Sequence, residues 1–387
     1  MKHSKYGINT ICTHIGEIED KQFKGAVSPI YVSTSYEFDD VDVKRYPRYF
    51  NTPNQEHLAK KIATLEHTES ALIFGSGMAA LSALFLTFLK SGDHLVVQNT
   101  LYGGASHFIR EEFPKYGIEF TFTDGYQVSD FAAAIKPNTK LIHIETPSNP
   151  LLTITDIKGI AELGKTHNIL TSIDNTFASP INQNPIDFGI DIIMHSATKY
   201  LGGHSDILAG ALAASDEIIG QIWHVAKNFG GNLSDYTVWM LERSMKTLAL
   251  RVKKQTKNAE KLASYLEKHL DIKAVFYPGL KSHPQHDLAK SQMHGFGAMM
   301  SFELQGHLDA LKFQKHLKLI KSSMSLAGVE STVLSPYLTS HALLTQEERD
   351  AIGISNQLIR FSVGIESKKD LIDDIEQAIL KTKTEAI

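Results

Sequence analysis

The sequence contains one cysteine, Cys12, so it can form neither an intrachain disulfide nor a cysteine-rich zinc site. A lone thiol fits a reducing cytoplasm, the compartment expected for it. Long apolar runs are missing as well. The most hydrophobic stretch, from Met78 to Leu89, spans 12 residues, short of the roughly 18 that cross a bilayer, and reads as a buried helix. Residues 1–13 lack the apolar core of a secretory signal. Charge of one sign is not in excess. The 39 Lys and Arg stand against 43 Asp and Glu, a net −4 that gives nucleic acid or an anionic membrane no reason to bind. Repeats and low-complexity tracts are absent. Of the 18 histidines, His195 and His204 lie near Asp206 but have no facing ligand set, so no metal is expected.

What is present is a long alternation. A chain of 387 residues exceeds one small core. From about Leu72 to Ala213, short apolar runs ("ALIF", "HLVVQ", "EFTFT", "KLIHIE", "ILTSID", "DIIMHS", "LAGALAA") are separated by helical patterns. Runs apolar on both faces predict a mostly parallel sheet covered on both sides. After Leu241, the segment "RVKKQTKNAEKLASYLEKHL" places Val252, Ala259, Leu262, Ala263 and Leu266 on one helical face, long enough to bridge two domains. Beyond it, "GAMMSFEL" and "LIRFSVGI" read as strands, with helices near 307–317 and 368–380. Three parts follow: residues 1–60, an arm expected to pack on a neighbouring subunit; 61–245, a large domain; and 246–387, a smaller α/β domain.

Three features can share one edge of that sheet. In "ALIFGSGMAA" a strand meets Gly75, Ser76, Gly77 and Met78 just as a helix begins. Free N–H groups at a helix start attract anions, and glycine lets a phosphate come close. The same string fits a dinucleotide pattern, which wants an acid ending the next strand; that strand ends in Gln98 and Asn99. Next, Asp174 ends the strand in "SIDNTFASP" and could be a mere helix cap. Lys199, in "HSATKYLGGHSD", follows Ser196 and Thr198 at the end of the next strand. An acid, an amine and a phosphate cradle describe a site for pyridoxal phosphate: the amine forms a Schiff base, the acid keeps the ring nitrogen protonated and the cradle grips the phosphate.

The motifs "LYGGASHF", "ETPSNPLL", "DNTFASP", "HSATKYLGGHSD", "NAEKLASYL", "YPGLKSHPQH", "SLAGVES" and "IRFSVGIE" closely resemble the transsulfuration family of pyridoxal-phosphate enzymes of cysteine and methionine metabolism, from about Thr13 to Leu380. The resemblance implies the aminotransferase-like fold (fold type I), with a mostly parallel seven-stranded sheet and a smaller C-terminal α/β domain. It implies a homo-oligomer, a tetramer built from dimers with shared active sites. It also implies roles. Lys199 would be the Schiff-base lysine and proton carrier, Asp174 would face the ring nitrogen, and Asn149 would contact the ring hydroxyl. Tyr102 would stack on the ring and take part in proton transfer, while Gly77, Met78, Ser196 and Thr198 would hold the phosphate. Tyr46 and Arg48, in "RYPRYFN", would reach the phosphate of the adjacent subunit, although Pro47 stands where the family usually has a serine. Arg360 would pair with the substrate α-carboxylate, with Ser325 nearby. Glu330 and His341 lie in family-like segments and receive no role.

For the reaction, the clues diverge. Cystathionine-handling γ-lyases and γ-synthases commonly carry a glutamate where this chain has Met324, and a thioether cannot balance an ammonium. Methionine γ-lyases typically have a cysteine where this chain has Gly104. The leading expectation is carbon–sulfur cleavage by γ-elimination of methionine, homocysteine or cystathionine, giving 2-oxobutanoate, ammonia and a thiol. Cystathionine γ-synthase, β-lyase and O-acyl-homoserine sulfhydrylase are the alternatives, and a catalytically idle pyridoxal-phosphate protein is a remote one.

Overall fold

The computed structural model describes residues 5–339, 346–351 and 353–385. Among them, seven strands form the large sheet: β1 (Ser70–Phe74), β2 (His94–Val97), β3 (Glu119–Phe122), β4 (Thr139–Glu145), β5 (Leu170–Asp174), β6 (Ile192–His195) and β7 (Gly210–Ala214). Each coincides with one of the seven apolar runs, to within a residue or two at either end. Their order is β1-β7-β6-β5-β4-β2-β3. All pairs are parallel except those of β7, which runs antiparallel to both β1 and β6. The sheet is mostly parallel, and β7 is the reversed member.

The reason lies in the connection. A parallel neighbour needs a crossover of a dozen or more residues, usually a helix. Between His195 and Gly210 the chain makes only turns, so it must come back antiparallel. Gly210 allows that return at close quarters, since an added Cβ there would lie 2.1 Å from the Ser76 carbonyl oxygen.

The second sheet has five strands in the order β10-β11-β12-β9-β8: β8 (Ile272–Phe276), β9 (Met299–Leu304), β10 (Lys321–Ser322), β11 (Thr332–Leu334) and β12 (Leu358–Ser362). "GAMMSFEL" and "LIRFSVGI" pair here as antiparallel β9 and β12. The helix Leu248–Leu266 joins the two sheets. Its residues Val252, Ala259, Leu262, Ala263 and Leu266 are fully buried in a core that draws on both.

Residues 5–52 contribute one short α-helix, Ile8–His14, packed on the helices Pro53–Leu65 and Leu248–Leu266, and a single 3-10 turn, Pro47–Tyr49. Residues 53–60, at the end of the arm read from sequence, are the opening turns of the Pro53–Leu65 helix, which Thr52 caps in a box with Gln55. Phe23, Val32 and Phe38 stand exposed on this arm. No helix among the described residues is long and apolar enough to cross a membrane.

Candidate active site

Strands β1, β4, β5 and β6 all point their carboxyl ends at one cavity of about 470 Å³, closed on the far side by residues that precede β11 and by β12. This is where open α/β sheets place their ligands. The seven-stranded sheet supplies one wall and the second sheet the other.

At the end of β1 the chain passes through Gly75 into the helix Gly77–Phe88, capped by Ser76 Oγ, which accepts from the Ala79 N–H at 3.0 Å. The N–H groups of Gly77 and Met78 open that helix and have no intrahelical carbonyl to bind. Ser196 lies directly against this start; a Cβ on Gly77 would sit 3.0 Å from its side chain. Thr198 Oγ1 trades hydrogen bonds with Ala209, accepting from its N–H at 3.0 Å and donating to its carbonyl at 3.2 Å. Glycine backbone, helix N–H groups and two hydroxyls make a cradle of phosphate size and polarity.

After β6, a tight turn carries Lys199. The Gly202 N–H donates to Ala197 O at 2.8 Å, and the Gly203 N–H to Lys199 O at 2.7 Å. Gly203 has φ +69°, and a Cβ there would meet the Arg251 guanidinium at 1.9 Å. Arg251, on the joining helix, donates to the carbonyls of Tyr200 and Ser244 at 2.9 and 3.1 Å. One turn further, Gln255 donates to Gly328 O at 2.7 Å. The same helix therefore anchors the Lys199 turn and the loop that starts at Ser325.

Lys199 Nζ reaches across the cavity to donate to Ser325 Oγ at 2.7 Å. Burial, then the nearby Arg360 charge, lower its amine to about 8, against the pull of Asp174. Asp174 Oδ1 accepts from the Thr176 N–H at 2.9 Å, and Thr176 Oγ1 accepts in turn from the Ser196 N–H at 2.8 Å. The Asp174 carboxyl is raised by burial, with Thr176 opposing. Asp174 thus borders the cavity and is not a helix cap; a cation such as a protonated ring nitrogen would relieve it.

Arg360, near the middle of β12, is buried, donating from Nη1 to Asn149 Oδ1 and from Nη2 to Ser325 O, both at 3.0 Å. Burial lowers it to about 10, which leaves it charged at neutral pH. The Tyr102 side chain, just ahead of the helix Gly103–Glu112, is half exposed into the cavity. Its pose depends on Gly104, where a Cβ would come within 2.5 Å of the Tyr102 ring.

The structure thus brings Gly77, Met78, Tyr102, Asn149, Asp174, Ser196, Thr198, Lys199, Ser325 and Arg360 around one cavity, with Met324 at its edge. It does not bring Tyr46 and Arg48 there. Arg48 donates to Lys227 O at 2.7 Å and lies over the rings of Tyr46 and Tyr49. His195 pairs with buried Glu66, and Glu330 accepts from Ser205. His341 lies outside the described residues. Among the described residues no cluster of three or more metal-ligating side chains is found.

The family described as "Cys/Met metabolism PLP-dependent enzyme" matches residues 9–380. The chain belongs to this family. Its cofactor is pyridoxal 5'-phosphate, which the glycine cradle, Asp174 and Lys199 fit. A cystathionine beta-lyase of Bacillus subtilis is 43% identical over 360 residues, 92% of each chain. An L-methionine gamma-lyase of Fusobacterium nucleatum subsp. polymorphum is 39% identical, covering 98% of this chain and 100% of that one. The crystal structure of cystathionine gamma-lyase from Lactobacillus plantarum complexed with L-serine superposes with a TM-score of 0.94 at 38% identity, over 98% of this chain and 100% of that one. A carbon–sulfur lyase name is common to these relatives of the family member described here.

Two side chains of the site escape the sequence reading. Thr176 ties Asp174 to Ser196, and Glu145 ends β4 directly beside Asp174 in the strand register. A signal existed for Glu145: like Asp174, it is an acid closing an apolar strand, "KLIHIE" beside "ILTSID".

Proposed function

We propose that this enzyme cleaves a carbon–sulfur bond by γ-elimination, converting methionine or homocysteine, and less readily cystathionine, with water to 2-oxobutanoate, ammonium and a thiol or, from homocysteine, hydrogen sulfide. The observation that carries this reading is the apolar part of the cavity, lined by Leu208, Met324 and Leu334, while its acids Glu145 and Asp174 end β4 and β5. A thioether side chain gains by leaving water for such surroundings. A second ammonium group would find no charged partner among those three side chains.

Bound pyridoxal phosphate supplies a ring that takes up the charge left when the substrate loses its Cα proton. The chain does the rest. Arg360 holds the α-carboxylate and fixes the Cα–H bond in one direction. Lys199, with an amine near 8, is uncharged often enough at neutral pH to take that proton and to move a proton at Cβ. Asp174 keeps the ring nitrogen protonated, Tyr102 covers a ring face, and Gly77, Met78, Ser196 and Thr198 hold the phosphate. Tyr46 and Arg48 stand outside their own chain's cavity, and we assign them to the phosphate of a neighbouring subunit in a homo-oligomer.

Incubation with methionine, homocysteine and cystathionine, each with and without a second thiol, tests the reading. Methionine or homocysteine should yield 2-oxobutanoate. Pyruvate from cystathionine alone would reassign the enzyme to β-elimination, the reading favoured by the 43% identical cystathionine beta-lyase. A thioether adduct with the added thiol would point to replacement chemistry instead.

A further inference from the structure

Glu145 is buried and borders the cavity, yet the chemistry above gives it nothing to do. Its two carboxylate oxygens are used separately. Oε2 accepts from the Tyr102 N–H at 2.7 Å, and Oε1 accepts from the Asn149 N–H at 3.0 Å. Its own backbone is clamped by Gln98, whose Nε2 donates to Glu145 O at 2.9 Å and whose Oε1 accepts from the Glu145 N–H at 3.3 Å. One rigid side chain at the end of β4 therefore joins two loops. The first loop carries Tyr102. The second carries Asn149, whose side-chain oxygen accepts from Arg360.

We propose that Glu145 is a positioning residue that sets Tyr102 and the Asn149–Arg360 pair in register with each other, each through a main-chain N–H. The consequence is mechanical. Tyr102 sits at the head of a helix on the large sheet, Arg360 in a strand of the small one, and Glu145 is the bridge between their supports. Burial, then the neighbouring Asp174 carboxylate, push Glu145 up to about 8 while the two N–H bonds oppose this. At neutral pH the side chain is therefore mostly the neutral acid, and the two N–H bonds to its oxygens, rather than its charge, fix its place.

The proposal rests on the reading of the cavity given above, and its test begins with a measurement that does not. In the holoenzyme, Glu145→Gln keeps one acceptor and turns a donor toward the other N–H, while Glu145→Asp keeps the carboxyl group but is one methylene too short to serve both. In each variant, peptides covering 99–104 and 146–152 should exchange amide hydrogen at least fivefold faster, with exchange elsewhere unchanged. The visible dichroism of the bound cofactor should fall. An unpaired buried donor costs about 1–3 kcal/mol, so kcat/KM should drop roughly 5- to 150-fold, with KM rising through Asn149 and Arg360. Unchanged exchange in both variants would overturn the proposal. So would a Glu145→Asp enzyme matching wild type, which would make the carboxyl group and not its reach the relevant property. Should Glu145→Gln fail to fold, Glu145→Asp decides. Because exchange is read without turnover, failure of the carbon–sulfur chemistry and failure of this proposal are separable.

Discussion

Lys199 and Ser325 meet across the cavity, amine to hydroxyl at 2.7 Å, each held by a loop that the helix Leu248–Leu266 anchors. Ser325 takes up this place with φ +73°, an uncommon backbone for a residue with a side chain. The amine is lowered to about 8 from an ordinary 10.5. A lowered value means more uncharged amine at any given pH, and the uncharged amine is the form that attacks an aldehyde. The rate at which cofactor-free protein takes up pyridoxal phosphate should therefore rise with pH and level off past a midpoint near 8. A rate still climbing steeply beyond pH 10 would show that Lys199 is not the attacking group.

Arg360→Ala should leave cofactor absorbance intact and reduce kcat/KM by about two to four powers of ten, the roughly 3–5 kcal/mol of a buried charge pair left with one member. A loss below threefold would assign the substrate carboxylate to another group.

Met324→Glu places an anion at the apolar end of the cavity. The ratio of kcat/KM for cystathionine over methionine should increase. A ratio that stays or falls would show that this position does not select the substrate.

Gly203→Ala asks for a side chain at φ +69° in space the Arg251 guanidinium occupies. Strain of this kind costs about 1–3 kcal/mol, and displacing Arg251 loosens the turn behind Lys199. Denaturant unfolding should show that loss of stability, and dialysis should strip the cofactor faster than from wild type; equal values on both would refute the role given to Arg251.

Arg48→Ala and Lys199→Ala should each be nearly inactive. Refolded together in equal amounts, about half of randomly formed pairs are hybrids, each with one site carrying both lesions and one carrying none, so roughly a quarter of all sites should recover. If Arg48 served its own chain, every site would keep a lesion, and confirmed hybrids would show no activity above the single variants.

Much of this site could be read along the chain because its signals are local. Gly75 to Met78 join a strand end to a helix start, Asp174 closes one strand and Lys199 sits in the turn after the next, and Arg360 is a charge within an apolar strand. Glu145 has the same appearance as Asp174, but its meaning comes from its partners, one of them Tyr102, 43 residues away, and pairing at that range leaves no periodic trace. The reversal of β7 was hidden in another way. "LAGALAA" is apolar on both faces in either direction, and only the helix-free return from Lys199 dictates its sense. In the helix Leu248–Leu266 the apolar stripe is plain to see, whereas Arg251 and Gln255 look like ordinary solvated positions and are buried.

Those two residues also limit how this enzyme can change. Four positions along a helix advance about 6 Å and return to nearly the same face, and that single turn fixes the distance between the anchors of the Lys199 and Ser325 loops. A residue inserted between 251 and 255 would swing one anchor by about 100° and sever the reach of one loop toward the other. This one turn of helix cannot grow by a single residue without separating the amine from the hydroxyl it meets.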